Sequence, residues 1–247
     1  ISVKKYSEIL KIYSLLGYKH DLNVLNDFIY NPNTIVLTNE EKEYLEKSNV
    51  VYKTSKVKPF DLSKDKGIEY EYLELLKKII PINIVLLPDN QNNEVDFELS
   101  LNNKHDSSTN KITQYSFAIA TKSNINYIQS LDNLENKKVA ILKNSFFDAG
   151  YKKQYPNISF ETVDDFKKAF DLLKKDKVYA VIGLMPLLLE EISSDNYKNI
   201  KISGITKITH DLSFLVHQKN KILSSVLNKA LNKINTEDID LINRIYL

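Results

Sequence analysis

The chain contains no cysteine, one arginine (Arg244), one methionine (Met185) and five glycines in 247 residues. Without cysteine there are no disulfides and no thiolate-ligated metals. The compartment stays open, because disulfide-free proteins occur on both sides of a membrane. The few glycines form no phosphate-cradling loop, and the single arginine leaves no guanidinium fork before the last few residues. No apolar run is long enough to span a bilayer, and no basic-apolar-small leader opens the sequence. The four histidines, His20, His105, His210 and His217, are scattered without metal-ligand spacing. Serines such as Ser145 and Ser213 have no nucleophile elbow or ordered base around them, and Asp164-Asp165 and Glu190-Glu191 read as helix-end or solvated charges. No enzymatic activity, metal or cofactor is therefore expected. Net charge is +2 with the two signs interspersed, which points away from a nucleic-acid surface.

What the chain does have is an alternation of strand and helix patterns. Residues 139–142 are a short apolar run before the polar turn Lys143-Asn144-Ser145, the mark of a buried strand. Residues 158–163 predict the next strand. Residues 164–175 space Phe166, Ala169, Phe170, Leu172 and Leu173 along one helical face, and residues 178–182 predict a third strand stopped by Gly183. Strands and helices alternating over short connections predict a parallel sheet wrapped by crossover helices.

Upstream, two apolar stripes occupy residues 1–30: Ile9, Leu10, Ile12, Tyr13, Leu15 and Leu16, then Leu22, Val24, Leu25, Phe28 and Ile29. Broken by Gly17 and Asp21, they predict two amphipathic helices packed on the rest of the chain. Thr38 and Glu41 have the spacing of a capping box. Residues 50–54, 82–87 and 96–101 predict strands, and residues 69–80 a helix ended by Pro81. Residues 221–234 predict a further amphipathic helix.

The spaced sets Ser130-Leu131-Asp132-Asn133-Leu134, Lys143-Asn144-Ser145, Lys168-Ala169-Phe170 and Ala180-Val181-Ile182-Gly183 resemble the second lobe of the type 2 periplasmic solute-binding proteins, the extracellular solute-binding family 3. The resemblance runs over most of residues 37–247 and is strongest in that lobe; residues 115–121 resemble the strand that crosses into it, 201–206 and 212–217 the two return strands, and 236–247 the last helix of the fold. It implies an α/β, two-lobed Venus-flytrap fold with an N-terminal helical extension. Residues 1–36 would be the extension, 37–114 the first part of lobe 1, 115–210 lobe 2, and 211–247 the return strand and closing helices of lobe 1. The string from Leu37 to Thr54 resembles the opening of sensor-type members built into membrane histidine kinases and diguanylate cyclases. The implied function is an extracytoplasmic sensor domain, periplasmic and tethered to the inner membrane through flanking segments, whose closure on a small ligand acts on a cytoplasmic output domain. A chain that begins at Ile1 and stops after a closing helix fits a domain cut from something longer.

The resemblance also names candidate ligand-binding residues. Phe60 matches a cleft-wall aromatic, and Asn102 and His105 lie in the loop where relatives carry an arginine. Tyr115 begins a crossing strand. Lys143, Asn144, Ser145 and Phe146 form a strand-to-helix loop, and Leu184 and Met185 stand where relatives carry an aspartate. In amino-acid binders of the family the arginine grips the carboxylate and the aspartate the ammonium. Both are missing here, and so is the helix expected between residues 87 and 94. Weak or no binding of free α-amino acids is the consequence, with an apolar or anionic small molecule as the expected ligand. Two alternatives stay open: a free solute receptor feeding an importer, and a module that has lost ligand binding and serves as a homodimer or protein-contact surface.

Overall fold

The computed structural model describes residues 35–55, 60, 67–87, 94–100, 108–143, 145–217 and 220–246. The two N-terminal stripes and residues 88–93, where the crossover helix is missing from the sequence, lie outside them. The elements run α1 (Asn39–Lys47), β1 (Asn49–Lys53), α2 (Ile68–Ile79), β2 (Asn83–Leu87), β3 (Phe97–Ser100), β4 (Thr113–Lys122), β5 (Lys138–Leu142), α3 (Phe146–Gly150), β6 (Ser159–Val163), α4 (Phe166–Lys174), β7 (Ala180–Leu184), α5 (Met185–Ile192), β8 (Ile200–Val216), α6 (Lys221–Leu231) and α7 (Thr236–Tyr246).

The eight strands form one sheet in the order β2-β1-β3-β8-β4-β7-β5-β6. At one end β2, β1 and β3 are parallel, and at the other β7, β5 and β6 are parallel. Between them β4 and β8 pair antiparallel from Thr113 opposite Leu212 to Lys122 opposite Ile200. These two strands cross from one half of the sheet into the other as a single ribbon.

Local chemistry fixes the helix starts. Thr38 Oγ1 accepts the Glu41 N–H at 3.2 Å and the Thr38 N–H donates to Glu41 Oε2 at 2.7 Å, the reciprocal pair expected of the capping box. Asp165 caps α4 by accepting the Lys168 N–H at 2.7 Å. Behind that cap, Ala169, Phe170 and Leu173 are buried against one face of β4, β5 and β7, where Ala118, Ala120, Ala140 and Val181 offer small or branched side chains. Every residue of β7 is buried, because α4 and α5 cover one face while α3 and residues 128–134 cover the other.

Two sequence expectations are corrected. Gly183 does not stop its strand; β7 runs through it to Leu184. The glycine leaves room for the end of the Phe166 ring, which a Cβ there would meet. The return is also not two strands. β8 is continuous for 17 residues, because Thr209, His210 and Asp211 keep their ladder with β4 on the far side of the register shift near Ser116. Among the described residues the other predicted strands and helices are found with ends shifted by a few residues.

Candidate functional site

In open α/β sheets a ligand crevice forms at the carboxyl ends of the strands, where connections and helix starts gather. Here two such sets of ends face one another. β3 ends at Ser100, opposite Ser213 of β8, and β7 ends at Leu184, opposite Phe117 of β4. Between these points Tyr115 of β4 lies opposite His210 of β8. That rule places the candidate crevice over the ribbon at residues 113–117 and 208–213.

Its floor is aromatic and close-packed. Phe60 is 1% exposed and sets its ring at an angle against Tyr115, centroids 5.9 Å apart. The Tyr115 hydroxyl donates to Asn243 Oδ1 at 3.1 Å, which ties the ribbon to α7. Burial, partly offset by Tyr72, pushes the Tyr115 phenol up to about 12. Two residues further along the same strand face, Phe117 meets Phe147 at 5.4 Å and His210 at 6.5 Å. His210 is 1% exposed, and burial lowers its imidazole below the ordinary value against a smaller opposite pull from Asp211. Burial thus favours its neutral form.

The wall from the second half is the loop after β5. Lys143 is exposed, its N–H held by the Val163 carbonyl at 2.8 Å. Ser145 caps α3: its Oγ accepts the Asp148 N–H at 3.2 Å and donates to the Leu142 carbonyl at 2.7 Å. With its hydroxyl committed to the loop in this way, Ser145→Ala is expected to cost about 1 kcal/mol in urea unfolding. A loss of several kcal/mol would show that the loop depends on Ser145 for more than its cap. Leu184 is 6% exposed and leads into α5, whose first turn holds Pro186 and has no side-chain cap. Met185 is half-buried against the α4 side of the core. No carboxylate stands at either position, so nothing there holds an ammonium group.

Of the residues picked from the sequence, Phe60 and Tyr115 meet one another, Leu184 lies one strand away from them, and Lys143 and Ser145 share the facing loop. Asn102, His105 and Asn144 lie outside the described residues, and Phe146 is described only in its backbone. Phe117, Phe147 and His210 were missed. The signal for Phe117 was present, two residues past Tyr115 and so on the same face. Phe147 needed the helix phase of α3, which turns it into the core at 1% exposure. His210 needed the β4 register. Among the described residues no three acidic, histidine or cysteine side chains are placed to hold a metal ion.

No protein-family model and no curated protein sequence matches the chain. Solved structures do. The periplasmic VFT2 domain of Bordetella pertussis BvgS superposes with a TM-score of 0.72 at 16% identity, over 86% of this chain and all of that one. A histidine kinase sensor domain with similarity to periplasmic binding proteins gives 0.66 at 13% identity, over 81% of this chain and 96% of its own. An ancestral arginine-binding protein bound to glutamine gives 0.62 at 21% identity, over 81% and 97%. The chain therefore has the type 2 periplasmic-binding-protein fold, the Venus flytrap that these sensor and solute-binding domains share.

Proposed function

We propose that this chain is the extracytoplasmic, small-ligand-binding sensor domain of a membrane signalling receptor. Its lobes would be residues 37–114 with 211–247, and residues 115–210, and their closure would act on a cytoplasmic output domain. The observation that carries this reading is the crossing ribbon. Two carboxyl-end surfaces face each other over two paired strands, so a ligand touching both surfaces favours one lobe angle over another. The likeness to solved sensor domains supports it. The candidate contacts are Phe60, Asn102, His105 and Tyr115 on one side and Lys143, Asn144, Ser145, Phe146, Leu184 and Met185 on the other. With buried leucine in place of an aspartate and an exposed lysine on the loop, the ligand class is an apolar or anionic small molecule.

A thermal-shift screen of small carboxylates, aromatic acids and the common amino acids tests this. A ligand at a hundred times its dissociation constant stabilises by about 2.7 kcal/mol. Shifts from anionic or aromatic compounds and none from arginine or histidine are expected; tight binding of either amino acid overturns the ligand class. A gene with no membrane-spanning segment beside this domain overturns the receptor. A second reading, a contact module that binds no ligand, is favoured by one feature: the packing of Phe60, Tyr115, Phe117 and Phe147 leaves the described floor without exposed ring surface. A screen in which no compound shifts the melting point would favour that reading.

A further inference from the structure

The second half of the sheet has a recess at the end away from the candidate crevice. β7 runs toward the crevice and ends there at Leu184, so Tyr179, just before its first residue, lies at the opposite end. β5 is parallel to β7 and starts at Lys138, whose carbonyl accepts the Tyr179 N–H at 2.7 Å. β4 arrives at the same end with Lys122. Residues 124–129 follow it and, with Asn133 and Tyr179, border a recess of about 440 Å³ that is open to solvent. That volume lies within the range of small-molecule sites.

The backbone around the recess is held in place. The Ser123 N–H donates to the Asn199 carbonyl at 2.8 Å and the Ile128 N–H to the Ser203 carbonyl at 2.6 Å, and the Ile128 and Leu131 side chains are buried. The Ser130 N–H donates to Asn133 Oδ1 at 3.2 Å, which leaves the Asn133 NH2 group for another acceptor. Opposite, Lys137 Nζ stands 5.1 Å from the centroid of the Tyr179 ring and steadies it. The amides of Asn124, Asn126 and Gln129 are exposed, and so is the Tyr127 ring, at 67%.

The lining discriminates between ligand classes. Of the described residues that border the recess none is charged, so neither an anion nor an ammonium group finds an ion pair there. β4, β5 and β7 are each paired on both sides, so no strand edge is free to take up a peptide. An apolar ligand would strip water from four amides and give them no partner. Each of those amides sets a donor beside an acceptor, and adjacent sugar hydroxyls do the same. The C–H face of a pyranose is apolar and packs on an aromatic plane.

We propose that this recess binds a neutral saccharide, with Tyr127 as the stacking platform and Asn124, Asn126, Gln129 and Asn133 as its hydrogen-bonding groups. The site is separate from the crevice and stands whether or not the crevice binds a ligand.

The test is an NMR titration of the isotope-labelled full chain with chitotriose, cellotriose and maltotriose, and with trialanine and inorganic phosphate beside them. At least one saccharide is expected to shift the amide resonances of residues 124–133 and Tyr179, with a dissociation constant of about 1 mM. Tyr127→Ala is expected to weaken that binding about tenfold and Asn126→Ala about fivefold. Both side chains are exposed, so both variants should keep the fold. No shift from any of the three saccharides at about 10 mM overturns the proposal. So do shifts confined to Tyr115, Phe117 and Leu184 at the crevice, binding that either variant leaves unchanged, and shifts at the recess produced by trialanine or phosphate but by no saccharide.

Discussion

Replacing Lys229 with methionine is expected to lower stability at pH 7 by about 3 kcal/mol, the cost of stripping a buried carboxylate of its cation. The carboxylate is Glu41, 5% exposed on α1. It accepts hydrogen bonds from Lys229 Nζ at 2.6 Å, Ser225 Oγ at 2.7 Å and the Thr38 N–H at 2.7 Å. Burial alone would raise its titration, but these three donors outweigh burial and bring it from 4.5 down to about 2. A carboxyl depressed in the folded state gives stability that is fully present above its unfolded value and is lost as pH falls toward the folded one. The native chain should therefore lose this contribution between pH 4.5 and 2. In Lys229→Met burial dominates, so the pH slope over that window flattens and the two proteins converge in acid. Urea unfolding at pH 7, 4.5 and 3 checks this. Identical midpoints at pH 7 would show that α1 is not pinned to α6 by this pair.

The Glu41 site shows what the sequence could and could not reveal. Thr38 and Glu41 are three residues apart, so the capping box was legible from local spacing. Ser225 and Lys229 are more than 180 residues away, and only the packing of α1 on α6 brings them to the same carboxylate. The alternating strands and helices of residues 131–188 were legible for the same local reason, whereas the two crossing strands were legible only through the family resemblance. The errors came where tertiary packing overrides a local rule. Gly183 looked like a strand stop, but it lies inside β7, where the end of the Phe166 ring of α4 packs over it. Residues 207–211 looked like a break, yet the pairing of Thr209, His210 and Asp211 with β4 keeps the strand going.

In the candidate site, the absence of the relatives' charged clamp was easier to read than the identity of the groups present. That residues 1–243 hold no arginine and that Leu184 and Met185 follow Gly183 is read directly from the sequence. The buried floor of Phe117, Phe147 and His210 is a product of register, and a strand's register is set by the neighbour it pairs with. That floor has a consequence for motion. A continuous apolar core runs from Tyr52 and Tyr72 in one half through Tyr115 and Phe117 to Ile141 and Ile182 in the other. Any change in lobe angle must occur without breaking this core, which leaves bending of the β4 and β8 ribbon, at its register shifts, as the available freedom.

The ribbon is also where the second large effect is expected. Gly204→Ala should cost about 3 kcal/mol, at the upper end for overpacking, whereas Gly183→Ala should cost about 1 kcal/mol. Both glycines are buried in strands, and a Cβ at either would overlap a neighbour; the neighbours differ in their ability to move. At Gly183 the atoms met are the far end of the Phe166 ring, a half-buried side chain that can swing aside. At Gly204 the atom met is the Ile128 carbonyl oxygen, with the Ile128 carbonyl carbon at 3.2 Å and Ile119 Cδ1 at 3.4 Å. That backbone is fixed, because the Ile128 N–H donates to the Ser203 carbonyl at 2.6 Å and the Ile128 side chain is buried. Relief therefore requires moving residues 125–131 off β8 or opening the β4 ladder at Ile119, opposite Gly204. Urea unfolding of the two variants side by side decides the matter: a Gly204→Ala loss no larger than that of Gly183→Ala would mean the 125–131 segment yields freely and does not clamp the ribbon.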